Sequence, residues 1–313
     1  LGVPRKGLKV PEADCIIVAL KSRSNPAAEA VTMSLAALDW LRQQGARQFY
    51  FKYCSTFDST DMGNIGPVAD AMLDAIGAEF TVFNPAFPTN KRTVYKGYLF
   101  VGDELLSESG MRHHPLTPMT DPSLVRVLQR QTKHKVGLLQ YSTVVKGAAA
   151  IRGAFDDLRK QGVRHAVLDS ITDEHLMTLG EACADMKLVT GGSGMAMGLP
   201  ANFIRQGLMK SGQSATLPKV TGPTVVIAGS CSVATQGQVA LMKKDHEAFE
   251  LDPLAIAAGR DIAQDALNWA AKRLSEKPVL IYSTGAPEQI KAVQDKLGRE
   301  HAGSMVEETM GKI

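Results

Sequence analysis

At 313 residues the chain is longer than a single hydrophobic core usually supports, so two domains are expected. Its 35 lysines and arginines nearly balance 32 aspartates and glutamates, which removes the electrostatic argument for a nucleic-acid partner. No apolar run approaches the roughly 20 residues that span a bilayer, and no signal-peptide pattern is present. We therefore expect a cytoplasmic protein with no membrane partner.

Apolar runs typical of strands alternate with helical patterns along the chain, which predicts an α/β fold of mostly parallel sheets covered by helices. In the first part we predict strands over residues 15–20, 48–53, 80–83, 136–139, 165–169 and 188–189, helices over 26–44, 68–76, 123–131, 151–158 and 174–185, and an antiparallel excursion over 93–101. In the second part we predict strands over residues 224–228, 249–251 and 278–282, and helices around 238–243 and 262–274.

Residues 207–222 are rich in Ser, Gly, Gln, Thr, Lys and Pro without an apolar period, which is typical of an exposed linker. This composition predicts a first domain over residues 1–206 and a second over residues 223–313. The four cysteines lie far apart and show no metal-ligand spacing, so we expect neither a disulfide nor a metal site.

The segment over residues 52–67, Lys-Tyr-Cys-Ser-Thr-Phe-Asp-Ser-Thr-Asp-Met-Gly-Asn-Ile-Gly-Pro, carries the most polar chemistry. It joins a predicted strand to a predicted helix, so its side chains should emerge at the carboxyl edge of a sheet, where open α/β folds bind ligands. The candidate contacts to a small anionic polyhydroxyl ligand are Lys52, Ser55, Thr56, Asp58, Ser59, Thr60 and Asn64. The alternative is a polar loop whose side chains cap the helix and satisfy the turn.

The charged residues near this segment suggest how an acid would be held. Arg23 and Lys52 could together bind a carboxylate, the arginine in fork geometry and the lysine as a point charge. A solvated surface cation, or an ion pair with Asp58, is the alternative for each. Asp58 is also the candidate catalytic residue, because a carboxylate among hydroxyls can accept or orient the proton of an attacking alcohol. We favour substrate binding for Asp58 over a role as the base.

Two more segments are candidates for the same site. Gly191, Gly192 and Ser193 follow a strand and open a helix, so their unpaired amides could stabilise an anion, although a plain glycine turn is the alternative. His114 is expected to shape the site instead of binding a metal, because adjacent histidines diverge and no third ligand is evident.

Residues 52–67, together with Lys-Ser-Arg-Ser-Asn-Pro at 21–26, His-Pro-Leu-Thr-Pro-Met at 114–119 and Gly-Gly-Ser-Gly at 191–194, resemble the four-carbon acid sugar kinase family. The likeness covers essentially the whole chain. The Cys-Ser-Thr-Phe-Asp-Ser-Thr version of the loop is similar to the 3-oxo-tetronate kinase branch of that family.

This resemblance implies an amino-terminal acid-sugar domain, a carboxy-terminal ATP-binding domain and an active site in the cleft between them. It implies transfer of the γ-phosphoryl group of ATP, with Mg²⁺, to the 4-hydroxyl of 3-oxo-tetronate, or of threonate or erythronate as alternatives. Ser230 and Ser232, in the turn Gly-Ser-Cys-Ser at 229–232, are implied as ATP contacts. A homodimer is compatible with this expectation.

The chain departs from the family pattern at both ends, where an Asp-rich first turn and a Gly-Gly-Glu-Thr nucleotide loop are missing. We therefore expect either a piece of a longer polypeptide or a protein that cannot catalyse the reaction alone. A non-catalytic sugar-acid-binding protein is one alternative function. A nicotinamide-dependent oxidoreductase is another, although the chain lacks a dinucleotide fingerprint.

Overall fold

The structure is a computed structural model that describes residues 2–5, 7–8, 10, 13–114, 116–212, 219–274, 277–285 and 287–313. The chain divides into two compact units, Leu1–Gln213 and Ser214–Ile313. The linker predicted over residues 207–222 falls partly on residues 213–218, which lie outside the described residues. The predicted domain limits therefore stay predictions. None of the described helices is long and apolar enough to cross a membrane.

Strands and helices alternate through the first unit, as the sequence pattern predicts. Its elements in chain order are α1 Ala27–Gln43, β1 Phe49–Lys52, α2 Ile65–Ile76, β2 Thr81–Asn84, β3 Arg92–Tyr95, β4 Tyr98–Val101, β5 Glu104–Leu105, α3 Leu124–Gln131, β6 Lys135–Leu139, α4 Tyr141–Val144, α5 Ala148–Lys160, β7 Val163–Leu168, α6 Asp173–Ala182, β8 Leu188–Gly191, α7 Ser193–Ala196 and α8 Pro200–Arg205. Strands β1, β8, β2, β7 and β6 form a parallel sheet in that order. The α/β prediction is confirmed.

The prediction of a strand over residues 15–20 is wrong. This segment has no regular secondary structure and joins neither described sheet of the first unit, and Ile17 is 87% exposed. The carbonyl of Ala19 accepts a hydrogen bond from the Gly2 N–H at 2.8 Å instead of from a sheet strand. An apolar run becomes a buried strand only where a neighbouring strand supplies backbone partners, and sequence periodicity does not report that condition.

Helices α1 and α2 pack on the sheet beside β1 and thereby fix the loop that joins β1 to α2. Leu38, Leu73 and Leu188 are each 1% exposed or less and belong to one apolar cluster that spans α1, α2 and β8. Burying a leucine fully stabilises a fold by about 1.5–3 kcal/mol. Helix α2 ends at Gly77, whose φ of 61° is left-handed, a conformation that glycine adopts without the Cβ penalty. The packing therefore gives the β1–α2 loop two rigid supports.

The antiparallel excursion forms a separate small sheet of β3, β4 and β5. Its first turn is at Lys96 and Gly97, whose φ angles of 51° and 75° match the tight turn that suits a twisted hairpin. The buried Asp169, directly after β7, accepts hydrogen bonds from the Gly97 N–H at 2.8 Å and the Tyr141 N–H at 2.9 Å. Burial raises the pKa of the Asp169 carboxyl, although these backbone donors oppose the shift. The carboxylate thus ties the hairpin to the main sheet.

A buried histidine links α2 to β7, an inner strand of that sheet. His165 of β7 is fully buried, and its Nε2 lies 2.6 Å from Asp70 Oδ1 on α2. Burial lowers the pKa of His165, and the nearby carboxylate only partly opposes this shift. Burial would raise the pKa of Asp70, but hydrogen bonds from His165 and Thr132 outweigh burial and lower it. At neutral pH the pair is therefore a neutral imidazole that donates to an ionised carboxylate.

The second unit repeats the α/β alternation around a smaller parallel sheet. Its elements are β9 Val225–Ala228, α9 Val233–Met242, β10 Ala248–Glu250, α10 Pro253–Ala257, α11 Ile262–Ala271, β11 Val279–Tyr282, α12 Pro287–Leu297 and α13 Arg299–Lys312. The strand order is β10-β11-β9, and the central strand β11 is buried along its whole length. The turn at 229–232 follows β9 and leads into α9, so it lies at the carboxyl edge of this sheet.

Candidate active site

The polar loop over residues 53–64 leaves the carboxyl edge of the main sheet between β1 and α2. Lys52, the last residue of β1, is in register with Gly191 of β8, and Gly191 is in register with Asn84 of β2. Three neighbouring strands therefore bring Lys52, Gly191 and Asn84 to one edge. This is the edge at which parallel α/β sheets bind ligands.

The backbone at the centre of the loop is left-handed at two consecutive residues that are not glycine. Phe57 has a φ of 64° and Asp58 a φ of 33°, a region that costs roughly 1–2 kcal/mol for such residues. The Phe57 side chain is 1% exposed and packs edge-on against Tyr53, with ring centroids 5.4 Å apart. Burying an aromatic side chain offsets the backbone cost. The reversal turns the Asp58 side chain into the loop.

Both oxygens of the Asp58 carboxylate have partners. Oδ1 accepts a hydrogen bond from the Thr56 hydroxyl, and Oδ2 lies 3.3 Å from Nη1 of Arg23. The Asp58 side chain is 3% exposed, whereas that of Arg23 is 57% exposed. The ion pair that the sequence left as an alternative for Arg23 is therefore present, and most of the guanidinium still faces solvent.

Asn64 connects the loop to the segment that carries Arg23. Its Nδ2 lies 2.8 Å from the carbonyl oxygen of Ser22, 3.3 Å from that of Arg23 and 3.0 Å from that of Asn25. These contacts use the amide nitrogen of Asn64 inside the protein. Arg23 is consequently fixed twice, through its carbonyl by Asn64 and through its side chain by Asp58, although the strand predicted before it is absent.

The remaining hydroxyls and Lys52 fall into two groups. Ser59 is 2% exposed, and its Oγ accepts a hydrogen bond from Gln131 Nε2 at 2.7 Å. Ser55 and Thr60 are half-buried and Lys52 is exposed, and within the described part of the chain their side chains have no hydrogen-bond or ion-pair partner. Among the candidate residues from 52 to 64, Lys52, Ser55 and Thr60 are thus the ones whose polar side chains are available to a ligand.

The glycine turn after β8 differs from the expectation of unpaired amides. The Gly192 N–H donates to the Asn84 carbonyl at 2.9 Å, and the Tyr50 hydroxyl donates to the Gly192 carbonyl at 2.5 Å. A Cβ added at Gly192 would lie 2.8 Å from the Pro85 carbonyl oxygen, so the close approach of two loops requires glycine there. The expectation is wrong for Gly192, whose amide is paired. Ser193 is exposed at the start of the short helix α7.

His114 is half-buried and helps to organise its own loop. Its Nδ1 lies 3.0 Å from the Thr117 backbone nitrogen, which donates to it, and 3.0 Å from Thr117 Oγ1. A ring nitrogen that accepts from an N–H is unprotonated, so the proton of the neutral ring is on Nε2. Pro115, which follows it, lies outside the described residues. The substrate contact expected of His114 stays a prediction.

In the second unit, two serines of the turn over residues 229–232 organise the start of α9. Ser232 Oγ caps the helix by accepting from the Thr235 N–H at 3.2 Å, and Ser230 Oγ accepts from the Ser232 N–H at 3.3 Å. A cavity of about 300 Å³ lies beside Ser230, lined mainly by apolar side chains of β9 and α9. Cavities that bind small molecules start at about this size. The contacts of Ser230 and Ser232 with ATP stay predictions.

Comparison with known proteins identifies the family. A model of a sugar-binding N-terminal domain matches residues 4–199, and a model of a nucleotide-binding C-terminal domain matches residues 225–313. A 3-oxo-tetronate kinase of Cupriavidus necator is 56% identical over 317 residues, covering 100% of this chain and 73% of that protein. The chain belongs to the four-carbon acid sugar kinase family. It is a kinase, and the predicted resemblance to the 3-oxo-tetronate kinase branch is confirmed.

A more distant curated relative has the same name, and two solved structures share the fold. A 3-oxo-tetronate kinase of Haemophilus influenzae is 46% identical and covers 100% of this chain and 75% of that protein. A crystal structure of a Haemophilus influenzae protein, 46% identical, superposes with a TM-score of 0.68 over 98% of this chain and 74% of that one. A crystal structure of a Salmonella typhimurium protein, 42% identical, superposes with a TM-score of 0.79 and covers 99% of this chain and 74% of that one.

Gln131 and Asn84 contact the candidate site residues but carry no sequence signal of their own. Gln131 is the last residue of α3, which is far from the loop in sequence, and Asn84 ends an apolar strand. The Asn84 side chain accepts from the Ala86 N–H at 2.9 Å and donates to the Leu168 carbonyl at 3.0 Å. The bonds of Asn84 to Leu168 and of Gln131 to Ser59 join residues far apart in sequence, and such bonds leave no periodicity or motif by which they could be found.

Proposed function

We propose that this kinase transfers the γ-phosphoryl group of ATP to the 4-hydroxyl of 3-oxo-tetronate and releases the 4-phosphate. One structural observation supports the acid site most strongly. At the carboxyl edge of the main sheet, the buried polar side chains of the loop bond to other protein groups, whereas, among the described residues, Lys52, Ser55, Thr60 and most of the Arg23 guanidinium are left for a ligand. The substrate assignment is based on the names of the curated relatives, which are 3-oxo-tetronate kinases.

In this proposal Arg23 and Lys52 bind the carboxylate of the sugar acid. Arg23 donates from the face of its guanidinium that does not contact Asp58, and Lys52 adds a point charge from the end of β1. Ser55 and Thr60 offer hydroxyls to the oxygens of the carbon chain. The side chains of Thr56, Ser59 and Asn64 hold the loop and reach the substrate only indirectly.

Asp58 orients Arg23 in this arrangement. One carboxylate oxygen accepts from Thr56, the other faces Arg23, and the side chain is only 3% exposed, so little of the carboxylate is open to a substrate proton. Phosphoryl transfer passes through a loose transition state that needs little help from a base, and positioning supplies most of the rate. A positioning role for Asp58 is consistent with both facts.

The second unit would bind ATP at the turn over residues 229–232. Ser232 caps α9, so the amide-rich start of this 10-residue helix favours negative charge. The adjoining cavity of about 300 Å³ offers an apolar surface with Thr235 and Gln238 as polar groups. These features fit a nucleotide. Ser230, whose oxygen accepts from the Ser232 N–H, still has a hydroxyl proton to donate to a phosphate oxygen.

Mg²⁺ would accompany ATP and neutralise charge that develops on the phosphate oxygens. Among the described residues, no group of three or more His, Cys, Asp or Glu side chains could hold a metal ion. In this proposal the Mg²⁺ ion would be held largely by phosphates and water, because magnesium sites commonly use only one or two carboxylates.

The direct test is a substrate panel. Purified protein with ATP and MgCl₂ is supplied separately with 3-oxo-tetronate, threonate and erythronate, and ADP release is followed. The proposal predicts that kcat/KM for the 3-oxo acid exceeds that for either hydroxy acid by at least about tenfold. Preference for threonate or erythronate would contradict the substrate assignment. Binding of the acid by calorimetry without ADP release would favour a non-catalytic binding protein, and acid-dependent NADH oxidation would favour an oxidoreductase.

A further inference from the structure

A buried glutamine of α3 supports the candidate loop from inside the protein. Gln131 is 9% exposed and makes three hydrogen bonds to the loop and the start of α2. Its Nε2 donates to Ser59 Oγ at 2.7 Å and to the Thr60 carbonyl at 2.6 Å, and its Oε1 accepts from the Gly66 N–H at 2.9 Å. Both N–H groups of the amide and its oxygen therefore bond to one segment, residues 59–66.

Two glycines let the loop approach this glutamine closely. A Cβ added at Gly63 would overlap Ser59 Oγ and lie 2.7 Å from Gln131 Nε2. A Cβ added at Gly66 would lie 2.7 Å from Gln131 Cβ and 3.0 Å from its carbonyl oxygen. The loop backbone is thus closed onto Gln131 at both positions, with room for hydrogen atoms only.

We propose that Gln131 is a positioning residue of the sugar-acid site. Its amide fixes the backbone from Ser59 to Gly66 and so sets where Thr60 faces the ligand. Asn64, which lies within the same span, carries this constraint to the carbonyl of Arg23. The inference rests on the proposed function, because it assigns Gln131 to the binding of the acid.

The loop needs such support because its own backbone opposes its conformation. Phe57 and Asp58, just before the supported span, have φ angles of 64° and 33°. Residues held in this region persist only where the surroundings over-determine them. Without the three bonds from Gln131, the span from Ser59 to Gly66 can relax, and Thr60 and Arg23 lose their fixed positions. Substrate binding then has to order them again.

The same helix provides a matched control. Gln129 also makes three hydrogen bonds, in which Nε2 donates to the carbonyls of Thr132 at 3.3 Å and His134 at 2.9 Å, and Oε1 accepts from the Val136 N–H at 3.0 Å. These bonds join α3 to β6 and do not touch the loop. Replacing either glutamine by methionine removes three bonds at similar side-chain volume. The variants differ in the segment they release and also in burial, because Gln129 is exposed and Gln131 is buried, so Tm is measured for both.

The test measures steady-state kinetics of Gln131→Met and Gln129→Met beside the wild type. For Gln131→Met we expect KM for the sugar acid to rise by about tenfold or more, with KM for ATP unchanged within about twofold. Gln129→Met should keep both KM values within about twofold even where its Tm falls equally. An unchanged acid KM in Gln131→Met, or an equal rise in both variants, would overturn the inference.

Two further measurements keep the result interpretable. Gln131→Glu retains the acceptor for Gly66 but sets a carboxylate oxygen against the Thr60 carbonyl. Its increase in KM for the sugar acid should therefore become smaller as the pH falls and the carboxyl becomes protonated. Amide hydrogen exchange of residues 59–66 should accelerate in Gln131→Met and not in Gln129→Met. If the wild type phosphorylates none of the acids, the proposed function fails, and the exchange data alone then decide: faster exchange keeps the loop-positioning role, and unchanged exchange refutes it.

Discussion

Asp58→Asn separates the two roles that the loop carboxylate can play in this kinase. Asparagine keeps an oxygen that can accept from Thr56, but it removes the negative charge that faces Arg23 at 3.3 Å. If Asp58 orients Arg23, the variant must still bind and phosphorylate the acid, only from a guanidinium that is no longer held in place. If Asp58 is instead the general base, the chemical step itself must slow.

The structure sets the size of each effect. The Arg23 side chain is 57% exposed, so its ion pair with Asp58 is screened and contributes only about 0.2–1 kcal/mol to stability. Ordering a released arginine on binding costs about 0.5–1.5 kcal/mol, which raises KM for the acid by roughly 2- to 12-fold. Loss of a general base lowers kcat by about 100- to 10,000-fold. A positioning role therefore predicts a moderate rise in KM, whereas a role as general base predicts a large fall in kcat, and the assay distinguishes the two.

The assay is the determination of kcat and KM for the acid at saturating ATP, with Asp61→Asn as control. Asp61 belongs to the same loop and pairs with Arg130 at 2.6 Å, but it is exposed and makes no ion pair with Arg23. We expect Asp61→Asn to behave as the wild type and Asp58→Asn to raise KM with kcat within about threefold. A fall of kcat by 100-fold or more at unchanged KM would refute the positioning role of Asp58.

Three further predictions test the site and its supports. Lys52→Ala should lower kcat/KM for the acid by about 10- to 100-fold without changing KM for ATP, and equal loss for both substrates would argue against carboxylate binding. Gly63→Ala, whose new methyl group overlaps Ser59 Oγ, should lower the free energy of unfolding by about 1–3 kcal/mol in denaturant melts, whereas Gly153→Ala, with open space around its Cβ, should not destabilise. The pKa of His165 is depressed in the folded protein, so its contribution to stability is present above its usual pKa of 6.5 and is lost as the pH falls through the folded pKa. His165→Gln should therefore flatten the decline in the free energy of unfolding below pH 6.5. An unchanged slope would contradict this linkage.

The elements that support the site could be predicted from the sequence because local patterns determine them. The aromatic run before Lys52 and the amphipathic run closed by Gly77 predict a strand and a helix, and the structure has β1 and α2 there. The position of the polar loop at the carboxyl edge follows directly. The predicted strand over residues 15–20 failed because strand formation depends on a neighbour, and its sequence carries no information about that neighbour.

The division of labour within the loop could not be predicted. From the sequence alone, the hydroxyls of Ser55, Thr56, Ser59 and Thr60 are equivalent. In the structure, two left-handed residues at 57 and 58 reverse the chain between the first pair and the second. That reversal directs Thr56 to Asp58 and leaves Ser59 against Gln131. It leaves the side chains of Ser55 and Thr60 without a hydrogen-bond partner among the residues that the structure describes. Such a change of side-chain direction depends on backbone angles that the burial of Phe57 stabilises, and no spacing rule contains them.

The most direct test of the central claim is the ³¹P NMR spectrum of the product formed from ATP and 3-oxo-tetronate by the purified protein. Phosphorylation of the 4-hydroxyl places phosphorus next to a CH₂ group, so the proton-coupled signal of the product should be a triplet that grows together with ADP. A doublet, which reports phosphate on the secondary 2-hydroxyl, or ATP that stays unconsumed while the acid is present, would contradict the account.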